Sequence, residues 1–488
     1  MTRIEGLVII KLYLILSLEA LQLIVIRATK KWKGVFIMNV GGILDLLLKQ
    51  IFGQPFMLMA IIVFVGYIAM KEKLSKAIIG ASKAAIGIIV MGMGSGALIG
   101  NFNKLIEAIK LATGIAGAGL NTYPTMTAGY AKMDLILGDG QGATWGIYTL
   151  LVAFLLNLLL VAFRKYTKIQ AVFLTGNVML VQAGISTYVV WRFLGTDMIT
   201  TVLIASAVTA IYWGVMSTLL IKPTKEITGA DFTVAHQQML MNYVAYKVSP
   251  KLGNAEVDDI EKKQFHAGLS VFQDSVIATL MVMFVSVSVI FLLIGTKNID
   301  WLRSAEGLNQ GGLKNNVIFL LWISITLTAN IYVLLAGVRM FVGEIMMSFK
   351  GISERLLPGA VAGVDCAAIY AYAPKSVVIG LLFGTVGQLL GLVLLILFKS
   401  PIFIVPGFIP LFFDNATISV YANKFGGWKA SAILVTTNGL IQIIGSMFAI
   451  RMMELSWWQG SSDYATIWVG IIWVLKSIGS MLGIPIAG

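Results

Sequence analysis

Apolar residues along this chain gather in long unbroken runs instead of the spaced stripe of a surface helix. Each run is long enough to cross a hydrocarbon core about 30 Å thick. Residues 55–71, 77–98, 142–163, 170–193, 198–221, 268–295, 316–340, 375–398, 404–421, 429–450 and 464–486 predict eleven membrane-spanning helices. The run 404–421 is the least regular, because it holds Pro406, Pro410 and the polar pair Asp414-Asn415. Two further segments, 101–128 and 350–373, join an amphipathic stretch to a Gly/Ala-rich polar turn. Irregular backbone survives at membrane depth only where protein or a wet cavity covers it, so both are predicted to be re-entrant hairpins. The expected fold is an all-α polytopic membrane protein.

The two halves repeat one order of parts: two spans, a hairpin, then three spans. The first repeat is expected over 38–221 with its hairpin near 101–128, and the second over 267–451 with its hairpin near 350–373. Residues 222–266 form a loop between them and 452–488 a final helix. The hairpin tips align as Ala118-Gly119-Leu120-Asn121-Thr122 and Ala362-Gly363-Val364-Asp365-Cys366, and the polar breaks as Gly176-Asn177 and Asp414-Asn415. Five spans per repeat is an odd number, so the second copy is inverted. Such repeats hold their substrate near the midplane, between the copies.

Charge sets the orientation. Basic residues cluster at Lys71–Lys76, Arg164–Lys168, 222–266 and Lys424–Lys429, all on one face if each hairpin returns to its own side. By the positive-inside rule that face is cytoplasmic, and the protein is expected to be multi-pass. Residues 7–26 are apolar enough to span, but the basic run Arg27–Lys33 behind them breaks the parity. Residues 1–37 are therefore read as a non-native extension, with translation beginning at Met38.

Composition narrows the classes. The chain of 488 residues is 58% hydrophobic and 12% charged, too little charge to cover a soluble surface. Its net charge of +13 sits in short loops between apolar runs, so it reports topology and no nucleic-acid partner is expected. One cysteine, Cys366, excludes an intramolecular disulfide, and the two histidines lack metal-ligand spacing. There is no phosphate-binding loop and no dinucleotide fingerprint, so no cofactor, metal or nucleotide-driven motor is expected.

Candidate residues stand out by cost. Asp365 has no basic neighbour in sequence, and an intramembrane carboxylate is a functional hypothesis by default. It is suited to accept hydrogen bonds from sugar hydroxyls or to take a proton from one; a plainer role is a buried partner for Arg355 or Arg339. Asn121, Thr122 and Tyr123 offer a polyol its donors and acceptors, or simply cap a turn. Asn177 and Gln182 either contact a ligand or join helices. His236 and Gln237, in the run His236-Gln237-Gln238, suit carbohydrate or phosphate, against the reading of a solvated loop. Arg339 and Glu344 read as a structural pair, and Cys366 as a small filler.

The runs LTGNVMLVQAG (174–184), KPTKEITGADFTVAHQQ (222–238), AYKVSPKLG (245–253), GVRMFVGEIMMSFKGISERLLPGAVAGVDCAAIYAYAP (337–374) and VPGFIPLFFDNATISVYANKFGGWKA (405–430) closely resemble the ascorbate-type IIC subunit of the bacterial phosphoenolpyruvate-dependent phosphotransferase system. The resemblance covers nearly everything from about residue 41 onward. It implies a homodimer whose protomers hold the substrate in a core domain that rises and falls against a scaffold domain. It implies a phosphorylated IIB protein that donates its phosphoryl group to the bound sugar, fed through IIA and the general phosphotransferase proteins. Thr122-Tyr123, Gln237 after His236, and Asp365 stand where that family contacts ascorbate. The resemblance departs at Asn177 and Val181, where the family carries His and Gln. The implied substrate is therefore L-ascorbate or a related small sugar acid or polyol. The competing class is an ion-coupled secondary transporter, which would use the same inverted repeat and carboxylate.

Overall fold

The computed structural model describes residues 55–113, 117–120, 122–263, 275–308, 314–355, 357–400, 402–405, 410–455 and 457–486. The expected extension 1–37 and Asn121 lie outside the described residues.

Helices dominate. In chain order they are α1 (Pro55–Ala69), α2 (Leu74–Thr113), α3 (Thr122–Leu137), α4 (Gln141–Ala162), α5 (Gly176–Leu194), α6 (Met198–Leu219), α7 (Ile221–Thr228), α8 (Met239–Leu252), α9 (Ser275–Ala305), α10 (Asn316–Arg355), α11 (Pro374–Leu397), α12 (Ala416–Met453) and α13 (Ile467–Met481). Among the described residues six helices are long and apolar enough to cross a membrane, or seven if the two arms of α9, bent by 115°, count as one span. Shorter apolar helices cover Met59–Ala69, Val178–Leu194 and Ile467–Met481. The stretches 404–421 and 429–450 are one structure: a π turn at Leu411–Asn415 leads into α12, which breaks at Gly427 (φ 79°, ψ 177°).

The hairpin segments begin differently from expectation. α2 stays helical through Thr113 and α10 through Arg355. The polar residues that signalled a break after 100 are satisfied by side chains instead. Asn101 Nδ2 donates to Glu306 Oε1 at 3.2 Å, and Lys104 Nζ meets Glu306 Oε2 at 2.8 Å. Such partners let a helix carry polar groups without opening its backbone.

Six short strands had no counterpart in an all-α reading. They are β1 (Gly117–Leu120), β2 (Ala171–Phe173), β3 (Phe232–Val234), β4 (Val361–Val364), β5 (Phe403–Val405) and β6 (Trp457–Trp458). They form two parallel three-stranded sheets, in the orders β5-β1-β6 and β2-β4-β3. Each central strand is flanked by two strands from the other half of the chain. Gly119 pairs with Val405 and Trp457, and Gly363 with Phe173 and Thr233. Backbone groups that the helices leave open are thereby paired inside protein, as apolar surroundings require.

Burial is inverted relative to a soluble protein. Ile79, Ile86, Ile89 and Met93 of α2, Leu155 and Leu159 of α4, and Leu292 of α9 are exposed, while Asp365, Asp414, Asn415, Gln442 and Asp463 are at most 2% exposed. Large apolar side chains facing outward suit lipid. The segment 222–263 is not a solvated loop: Phe232, Val234, Ala235 and Gln238 are buried within it, because β3 adds it to a sheet.

Candidate functional site

The sheet β2-β4-β3 is the platform. Past its centre, β4 ends at Val364, and Asp365 (φ −55°, ψ 142°) caps a 3-10 helix at Cys366–Tyr372, accepting the Ala367 N–H at 3.0 Å. Past its edge, β3 ends at Val234, the Ala235 N–H donates to Val364 O at 2.8 Å, and His236 follows. Parallel pairing therefore delivers His236 and Asp365 side by side from positions far apart in sequence. One donor atom each from His236, Asp365 and Cys366 lie within 4.8 Å of one another, all buried. Among the described side chains, which do not include that of Arg355, none forms an ion pair with Asp365, and Arg339 is exposed.

The surroundings hold the imidazole firmly. Its ring stacks on Phe413 at 5.3 Å between centroids. His236 Nδ1 lies 2.8 Å from Gln238 Oε1, which also accepts the Gln237 N–H at 2.8 Å, and Gln238 Nε2 donates to Phe413 O at 3.3 Å. Phe413 lies in the π turn, and its carbonyl accepts the Ala416 N–H. It also accepts Tyr370 Oη–H at 3.0 Å and Thr417 Oγ1–H at 2.5 Å. Burial pushes the His236 pKa below its ordinary value; the Asp365 carboxylate opposes that shift.

His, Asp and Cys are all zinc donors by type. Here burial, and next the Asp365 charge, push the Cys366 pKa up, and its Sγ lies 3.9 Å from Phe413 O.

The remaining expected residues divide. Gln237 follows His236 with 4% exposure, and its side-chain amide has no hydrogen bond to a described residue. Gln182 is spent on protein: its Oε1 accepts the Trp213 indole N–H, and its Nε2 donates to His236 O at 3.4 Å. It holds the His236 backbone, so the helix-joining alternative describes it. Thr122 is buried at the start of α3, after the central strand of the other sheet, and Tyr123 follows it there. Asn177 lies in the first turn of α5. The expected Arg339–Glu344 pair is replaced: Glu344 accepts Tyr67 Oη–H at 2.7 Å and meets Lys83 at 3.6 Å.

One residue was overlooked in the sequence and another was given a different role. Asp463 is fully buried, accepts Tyr212 Oη–H at 2.7 Å and the Met239 and Leu240 N–H groups at 2.9 and 3.0 Å, and donates its own N–H to Gln237 O at 2.9 Å. Its signal was a carboxylate in the mostly apolar tail 452–488, which also holds Glu454 and Lys476. Gln238 was grouped with His236 and Gln237 as an amide suited to carbohydrate or phosphate, and instead bonds the imidazole, the Gln237 N–H and Phe413 O.

Residues 50–472 match the family profile described as "PTS system sugar-specific permease component". A curated protein of Mycoplasma pneumoniae, named "Ascorbate-specific PTS system EIIC component", is 30% identical over 440 residues, covering 82% of this chain and 66% of that relative. The chain thus spans just under two thirds of the length of that relative. A match of this extent, on a multi-pass array of apolar helices, places the chain in the family of sugar-specific permease components of the phosphotransferase system.

Proposed function

We propose that the protein imports L-ascorbate or a related small sugar acid or polyol, and presents it for phosphorylation by a separate phosphorylated IIB protein. The observation that carries this reading is the buried His236–Asp365 pair, within 4.8 Å, in an interior where Asp365 has no cationic partner among the described side chains. An unneutralised carboxylate at such a place is costly, and a ligand rich in O–H donors offsets that cost. Gln237, Thr122, Tyr123, Asn121 and Asn177 complete the proposed contacts, and Gln182 supports His236 from behind. Asp365 is the proposed base. A substrate hydroxyl oxygen bonds to phosphorus as the phosphorus–IIB bond breaks, and the hydroxyl proton passes to Asp365.

Exchange of central strands between the halves supports an inverted repeat, with the substrate between the copies. The proposed motion is an elevator: a core carrying both sheets moves against a scaffold of α1, α2, α9 and α10 in a homodimer of the bacterial inner membrane. Release as a phosphate ester makes uptake one-way. The name carried by the Mycoplasma relative supports ascorbate.

The test uses inverted membrane vesicles supplied with cognate IIB and IIA, the general phosphotransferase proteins and phosphoenolpyruvate. Radiolabelled ascorbate is compared with pentoses, pentitols and sugar acids. Ascorbate phosphate is expected, with Asp365→Asn folded but lowered by at least about a hundredfold in rate. Phosphorylation of another sugar moves the specificity and keeps the mechanism. Uptake that collapses with an uncoupler, without any phosphorylation, restores the ion-coupled alternative.

A further inference from the structure

We propose that Gln238 is a positioning residue that locks His236 in the Nδ1–H tautomer and so presents Nε2 as a hydrogen-bond acceptor to a substrate hydroxyl. The assignment follows from what each partner can do. A backbone N–H only donates and a backbone carbonyl only accepts. The Gln237 N–H at 2.8 Å therefore identifies one end of the Gln238 amide as oxygen, and Phe413 O at 3.3 Å identifies the other as nitrogen. This fixes the amide from its network, the only sound basis for doing so. His236 Nδ1 lies 2.8 Å from that oxygen. An amide oxygen has no proton to give, so Nδ1 carries the proton. In a neutral ring the lone pair then belongs to Nε2.

The lock is stiff. Gln238 is 0% exposed, so water does not compete for its bonds. A flip of the ring would put a carbon against Gln238 Oε1 in place of Nδ1–H and lose that bond. His236 Nε2 bonds to no described residue, and the residue keeps 5% of its surface open. A ligand there meets an imidazole acceptor near a carboxylate acceptor. Both favour hydroxyl donors and reject ether analogues, since a site built on such bonds discriminates strongly. The ligand part of this inference rests on the proposed sugar site; the tautomer does not.

The chain has only two histidines, so selective ¹⁵N-histidine labelling of the full-length protein in detergent, compared with a His266→Gln variant, isolates His236. The spectrum without substrate is expected to show Nδ1 protonated and Nε2 bare. Gln238→Leu should release the lock and populate Nε2–H, with KM raised roughly tenfold. Gln238→Glu, whose carboxylate still accepts from Nδ1–H, should restore the tautomer. An Nε2–H signal in the unaltered protein overturns the tautomer, whatever the substrate proves to be. An unchanged tautomer in Gln238→Leu overturns the positioning role. Should Gln238→Leu fail to fold, the unaltered protein and Gln238→Glu still decide. The expected tautomer in a protein that phosphorylates no sugar overturns only the functional reading.

Discussion

Asp258 shows charge working at the rim of the bundle. It follows α8, and its two oxygens meet Lys263 at 3.2 Å and Lys429 at 3.0 Å, tying residues that follow α8 to the second arm of α12. The Lys429 hydrogen bond, then Lys263, hold its carboxyl below the ordinary carboxylate pKa. A carboxylate lowered on folding stabilises the fold above its unfolded pKa, near 3.9. That contribution is lost as pH falls through the lowered folded value. Asp258→Asn is therefore expected to melt a few degrees below the unaltered protein from about pH 5 to 8. The gap should close below roughly pH 3.9; a constant gap across both ranges would remove Asp258 from the account. The chain revealed its costly residues better than its pairings. Asp365 could be found because an ionisable group in apolar surroundings needs a reason, and His236 by the amides beside it and the resemblance of its loop. The duties of Gln182 and Asp463 could not, because their partners are 54 and 224 residues away, and polarity alone does not separate a residue that touches ligand from one that holds its neighbour.

At the level of elements, α2 and α10 cross with their backbones in contact. A Cβ added at Gly337 would lie 2.3 Å from Met91 N and 2.5 Å from Gly87 O. Lipid gives helices no hydrophobic reason to associate, so such close packing is a main source of their attraction. Gly337→Leu is expected to push the pair apart at a cost of about 1–3 kcal/mol or more, read as a lower melting temperature in detergent. Gly343, on the same helix with open space around its Cβ position, serves as control: equal losses from Gly343→Ala and Gly337→Leu would refute the crossing argument. The apolar runs exposed these helices because a long helix needs only continuous apolar sequence. They missed the strands for the same reason. Gly117-Ala118-Gly119-Leu120 and Val361-Ala362-Gly363-Val364 are too short and too small-residue-rich to show alternation. The two prolines and Asp414-Asn415 that made 404–421 irregular mark its π turn, where Asp414 accepts the Ser462 N–H at 2.5 Å. The sequence comparison of Asn177 with Asp414-Asn415 also shifts. Counted from the strand ends, Gln182 (173 + 9) and Asp414 (405 + 9) correspond.

Across the whole molecule, the strand exchange makes each half depend on the other. Among the described strands, β1 belongs to the first half but pairs with β5 and β6, and β4 belongs to the second but pairs with β2 and β3. An isolated half would keep its central strand without either neighbour, leaving backbone N–H and C=O groups open in a nearly dry interior. Each such group costs several kcal/mol, far more than marginal folding stability tolerates. It would also lack half of the candidate site, since His236 arrives with β3 and Asp365 with β4. A chain divided within 264–274, between the last residues after α8 and the start of α9, should therefore yield two fragments that are each degraded or aggregated when expressed alone. Co-expressed, they should copurify and recover sugar phosphorylation, because the division cuts no described strand or helix. Either fragment alone giving a stable, monodisperse membrane protein would mean that the sheets are not what binds the halves, and the shared-site reading would then lose its structural basis.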